Sequence, residues 1–107
     1  MPHHHIKISI ALDSQGNANF TYSPSVQRVY AGDTVDWSSP NGPFAILFQE
    51  GTPCNRMDAR SDANVPWMST QLSVLTNAAP GHYHYAAAVS MQGIVYVDGA
   101  CPELIVN

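Results

Sequence analysis

Apolar and polar residues alternate with a period of two along most of this chain. Ile6, Ile8, Ile10 and Leu12 alternate with Lys7, Ser9 and Ala11, as in a half-buried strand. The turn residues of "DSQGN" follow, then a short strand carrying Phe20 and Tyr22 that Pro24 ends. In the next segment Val26, Arg28 and Tyr30 share one face, with Gln27 and Val29 on the other. "AGD" turns the chain into "TVDW", where Val35 and Trp37 point the same way. After "SSPNGP" comes "FAILF", with Phe44, Ile46 and Phe48 on one face. Leu72 and Val74, then Tyr83 and Tyr85, then "GIVYV" and "LIVN" supply the remaining strands.

Residues 49–70 break the pattern. "QEGTPCNRMDARSDANVPWMST" has no sustained alternation, and Pro53 and Pro66 interrupt it. The segment reads as a long connection with one helical turn around Arg56–Ala63, of a kind often used for function. Seven to eight short, evenly spaced strands predict an all-β sandwich or barrel. The chain divides into a His-containing tail at 1–5 and a single domain at 6–107.

Composition narrows the function classes. A chain of 107 residues is 45% hydrophobic but only 11% charged, less than half the usual charged share. Its net charge is −4 with four basic residues. Nucleic acids and anionic membranes are therefore not expected partners, since both need a basic patch. No apolar run approaches the ~20 residues of a membrane helix, and no signal peptide precedes the first strand. The low charge and polar loops suggest a secreted or periplasmic domain. In such a compartment Cys54 and Cys101 would form a disulfide, closing a loop of about 47 residues and stabilising by roughly 4 kcal/mol. In a cytosolic setting the two would be buried free thiols.

Four segments, in order, resemble the cupredoxins, the plastocyanin and pseudoazurin family of small blue copper proteins. They are "VYAGDTVDW", "NGPFAILF", "PGHYHYAA" and "MQGIVYV". An immunoglobulin-like sandwich is the rival fold, but it does not account for the "MQG" ending. The resemblance spans roughly Ile6 to Val97 and implies a Greek-key sandwich. It also implies a copper site with two imidazoles and a thiolate in one plane and a thioether on the axis.

Mapped onto this chain, the site is degenerate. The first His falls on Phe44 and the Cys on Ala87. The second His has no counterpart, Ser90 being the nearest residue, and Met91 alone matches. The path from Ala87 to Met91 is also shorter than the family's loop. A type 1 copper site is not expected. An aromatic gain at Phe44 beside a loss at Ala87 is how a core repacks, with Met91 as filler.

Other candidate chemistry lies in the histidines. His82 and His84 share one strand face, opposite Tyr83 and Tyr85. If the tyrosines enter the core, the imidazoles face outward. With a His or carboxylate from a neighbouring strand they could hold Cu(II), Ni(II) or Zn(II). His3, His4 and His5 form a short tract with the same capacity. Met57, Met68 and Met91 show no spacing motif, and core packing accounts for them. No catalytic set is visible: Asp58 and Asp62 sit in an exposed segment, and no His stands beside a nucleophile. The chain reads as a non-enzyme. Two functions remain open: a non-redox module binding a protein partner through Trp67 and Met68, or a metal-handling protein using its histidines.

Overall fold

The computed structural model describes residues 2–62, 65–69, 71–98 and 102–107. Among them are eleven strands and no helix. The strands are β1 (His3–Leu12), β2 (Ala18–Ser23), β3 (Val26–Val29), β4 (Thr34–Ser38), β5 (Phe44–Phe48), β6 (Asp58–Asp62), β7 (Val65–Ser69), β8 (Leu72–Ser73), β9 (Gly81–Met91), β10 (Ile94–Asp98) and β11 (Glu103–Val106).

They form one curled sheet in the order β2-β1-β4-β7-β6-β5-β9-β11-β3, with β8 beside β4 and β10 beside β9. The β1–β4 and β11–β3 pairs are parallel, and the other pairs are antiparallel. β6 and β7 carry the sheet round, so that β2, β1 and β4 face β5, β9 and β11 across the core.

The period-two pattern decides what fills the space between the layers. Ile6, Ile8 and Ile10 of β1 and Val35 and Trp37 of β4 are buried. They meet Phe44, Ile46 and Phe48 of β5 and Tyr85, Ala87 and Val89 of β9, in one cluster. Trp37, Phe48 and Tyr85 are mutually edge-on, with centroids 5.6–6.4 Å apart, a geometry worth about 1 kcal/mol per pair beyond area burial. Gly42 brings the β4–β5 turn hard against β9. A Cβ there would lie 2.0 Å from the Ser90 carbonyl oxygen, so no larger residue fits without moving backbone.

Three expectations need correction. Eleven strands exceed the seven to eight expected, chiefly because β6 and β7 carry little alternation. The supposed long connection contains the β6–β7 pair in place of a helical turn; within Asp58–Asp62 only Ala59 is buried, which hides the strand from a hydrophobicity reading. Finally, His3–His5 belong to β1 and are not a separate tail. They pair with Thr34, Val35 and Asp36 of β4, and their polar character masks the extension.

Candidate functional site

β5 and β9 place the residues mapped from the copper site together. Their register sets Phe44 opposite Val89 and Ile46 opposite Ala87. Phe44, Ala87 and Val89 are buried on the inner face, and Met91 packs against the same cluster. The Phe44 N–H donates to Ser61 Oγ at 3.0 Å, which ties the start of β5 to β6.

These residues do not fit a type 1 copper ion. Phe44 and Ala87 offer no lone pair, so the thioether of Met91 is the one donor at the mapped positions. Ser90 cannot compensate. Along β9 the odd residues Tyr85, Ala87 and Val89 are buried while the even residues are not, so Ser90 lies on the opposite face. The loop that would carry ligands is also gone. β9 runs on to Met91, which pairs with Ile94 of β10 across only Gln92 and Gly93. Both turn residues have positive φ, 55° and 80°, the requirement of a type I′ hairpin turn.

The same parity sends His82 and His84 outward, as their alternation with the tyrosines predicts; both are exposed and Tyr85 is fully buried. Here the structure supplies a residue that the sequence reading did not name. Glu103 of β11 lies opposite His84. Its Oε2 accepts from His82 Nδ1 at 3.2 Å and lies 3.0 Å from His84 Nε2. His84 and Glu103 also line a groove of about 530 Å³ whose other walls include Phe20, Tyr22 and Val26.

The N-terminal histidines repeat this arrangement on the other layer. His5 Nδ1 donates to Asp36 at 2.6 Å and its Nε2 meets the Ser38 hydroxyl at 2.8 Å. His3 contacts Asp36 at 3.3 Å and the Thr34 hydroxyl at 2.7 Å. His4 turns inward and donates to Asp33 at 2.8 Å. Asp33 is only 1% exposed. Burial pushes its carboxyl pKa up, but the hydrogen bonds from His4 and the Tyr30 N–H, with the His4 charge, more than offset this and leave it below the usual value.

Each of the five histidines thus lies within 3.3 Å of a carboxylate in a neighbouring segment. Among the described residues no three His, Cys, Asp or Glu side chains are grouped so as to hold a metal ion. The two histidine groups lie on opposite layers and form no joint site.

Cys54 is buried and free. Burial pushes its thiol up to about 11, against the Thr52 hydroxyl beside it. Cys101 lies outside the described residues, so the Cys54–Cys101 pairing is not described. Trp67 is 39% exposed and Met68 is half-buried. Trp67 has φ +61°, a left-handed conformation costing a bulky residue about 1–3 kcal/mol. Asp58 is occupied by Arg56 and Arg60 at 3.1 and 3.3 Å, surface pairs of small energetic weight.

Comparison with solved structures finds a similar protein. A pseudoazurin from Sinorhizobium meliltoi superposes with a TM-score of 0.54 at 17% identity, covering 98% of this chain and 74% of that one. The likeness establishes a cupredoxin-like β-sandwich. No protein-family model matches the chain, and no curated protein matches it in sequence.

Proposed function

We propose that this chain is a non-redox binding module: a cupredoxin-like sandwich that engages a protein partner through its surface. The observation that carries the reading is the chemistry of the inner face. Buried Phe44 and Ala87 occupy the positions of the resembled ligands, and the hairpin closes in two residues where a ligand loop would run. Nothing at those positions supplies the thiolate that a blue copper centre requires.

Trp67 supports a contact role for the β6–β7 arm. It is a large aromatic held partly in solvent on a strained backbone; strain of this kind clusters at binding sites, and Trp is enriched at interfaces. Secretion or a periplasmic location suits the low charge, and nucleic acid remains an unsuitable partner on the same ground.

The test uses untagged protein in two arms. Copper addition should give no intense absorption at the red end of the visible spectrum and no reversible redox wave. Partner capture from the native source should be lost in Trp67→Ala and kept in an exposed-surface control such as Gln15→Ala. A blue band, or capture indifferent to Trp67, sinks the reading.

A second reading has one specific observation in its favour. Glu103 lies within 3.2 Å of two imidazoles, so Cu(II), Ni(II) or Zn(II) could take all three side chains if they rearranged from their present grouping, which does not itself form a metal site. Calorimetric titration decides it. Stoichiometric submicromolar binding, abolished by His82→Ala/His84→Ala, would favour metal handling.

A further inference from the structure

We propose that the chain self-associates through the open edge of β10, which pairs in antiparallel fashion with β10 of a second copy. Among the described residues β10 pairs with β9 alone, so its other edge carries an unused ladder of N–H and C=O groups. Strand edges are ready templates for another strand and are normally blunted with Lys, Pro or bulges. β10 reads Ile-Val-Tyr-Val-Asp and has none of these. Ile94, Val95 and Val97 are 56%, 63% and 71% exposed, the last being the most exposed large apolar side chain of the described residues.

The hairpin turn determines which groups are free. In a two-residue hairpin the closing pair, here Met91–Ile94, exchanges hydrogen bonds, and narrow and wide pairs then alternate along the ladder. Tyr96 opposite Val89 is therefore bonded toward β9. Val95 opposite Ser90 and Val97 opposite Ala88 turn their N–H and C=O groups to the open edge.

A second copy is the occupant these groups fit. A two-fold axis through Tyr96 sets Val95 against Val97 of the partner copy, and Val97 against its Val95. All four outward-facing residues then bond, giving an isologous, self-complementary contact. Side-chain parity agrees, since Val95 and Val97 lie on the same outer face. The register also manages charge. Each Asp98 faces Ile94 of the other copy, and the two carboxylates stand about 13 Å apart along the strands, beyond the Debye length of roughly 8 Å at physiological salt.

The outer face behind the edge is apolar as well. Ala45, Ala88 and Val97 form one cross-strand row, so pairing would join two such rows into a continuous surface. A five-residue ladder spans only about 17 Å and falls short of the ~800 Å² per partner typical of stable complexes. The dimer is therefore weak, with a dissociation constant on the order of 0.1–1 mM.

Sedimentation velocity and amide hydrogen exchange from roughly 20 μM to 2 mM, a range bracketing that constant, test the proposal. The sedimentation coefficient should rise with concentration. The Val95 and Val97 amides should gain protection as it does, while the Tyr96 amide stays protected throughout. Val97→Pro removes a donor that faces away from β9, leaving the β9–β10 ladder intact, and should be monomeric at every concentration. Val95→Lys should behave the same and decides the matter if the proline variant does not fold. A monomer throughout, a dimer that Val95→Lys leaves intact, or protection gained elsewhere overturns the proposal. Trp67→Ala should not affect the dimer, which separates this surface from the partner-binding arm.

Discussion

Tyr85→Phe should stabilise this protein. The Tyr85 ring sits at the centre of the core, fully buried against Trp37, Phe48 and Tyr22 at centroid distances of 5.6, 5.7 and 6.1 Å. Its hydroxyl and the Trp37 indole nitrogen are buried without a hydrogen-bond partner. The indole is near enough to oppose slightly the rise of the phenol pKa, but burial dominates and pushes it up to about 12; the pair does not meet hydrogen-bond geometry. An unsatisfied buried polar group costs about 1–3 kcal/mol. Phenylalanine keeps the ring contacts and removes the hydroxyl, for an expected gain of about 1 kcal/mol and a rise in Tm of about 5 °C. Urea unfolding should show a higher midpoint at unchanged m.

The pH arm has a definite sign. Because the folded phenol titrates above the ordinary value of 10, the unfolded state loses its proton first, and wild-type stability falls as pH rises from 10 toward 12. Cys54 also titrates there, so the diagnostic quantity is the difference between the two proteins, which should widen over that window. A variant less stable by 1 kcal/mol or more would refute the argument, because it would mean that the hydroxyl has a partner, such as a buried water shared with Trp37.

Three further outcomes follow from the geometry. Phe44→His/Ala87→Cys/Ser90→His carries the full ligand complement with Met91, yet copper should give no intense visible band, because residue 90 lies on the outer face of β9; a blue protein would overturn that parity argument. Gln92→Asn should raise stability by about 0.5–1 kcal/mol, measured by thermal unfolding, since asparagine tolerates the φ of 55° at that turn position better than glutamine. Asp33→Asn should cost about 2 kcal/mol at pH 7 by weakening two buried hydrogen bonds. Because the folded carboxyl lies below its ordinary value of 3.8, that stabilisation is complete only above about pH 5 and disappears as pH falls through the folded value, so wild type and variant should converge in acid.

Much of the site was legible in the sequence because strand parity is a local property. Alternation of His82 and His84 with two tyrosines sent the imidazoles outward, and the same rule put Phe44, Ala87 and Met91 inward. What was not legible depends on register between distant segments. Glu103 reaches His84 only because β11 pairs with β9, and Asp36 reaches His5 only because β1 and β4 run parallel; neither pairing leaves a trace in the spacing of residues. The β6–β7 arm was hidden for another reason. Within β6 only Ala59 is buried, so hydrophobicity cannot mark that strand, and in β7 Trp67 stays partly exposed.

The missing metal loop and the open edge are two aspects of one feature. A ligand loop requires the chain to leave the ladder after β9 and wander before returning. Here the alanine-rich stretch continues the ladder: Ala87 pairs with Asp98, Ala88 with Val97, Val89 with Tyr96 and Ser90 with Val95, until Gln92 and Gly93 turn the chain in the shortest way available. Small residues suit this on both faces. Ala87 leaves room for Phe44 inside, and Ala86 and Ala88 keep the outer face flat. The cost of zipping the hairpin to its end is that β10 becomes a largely apolar strand which, among the described residues, has no strand paired on its far side. In this chain, closing the place where a metal loop would have been creates a surface suited to pairing with another strand.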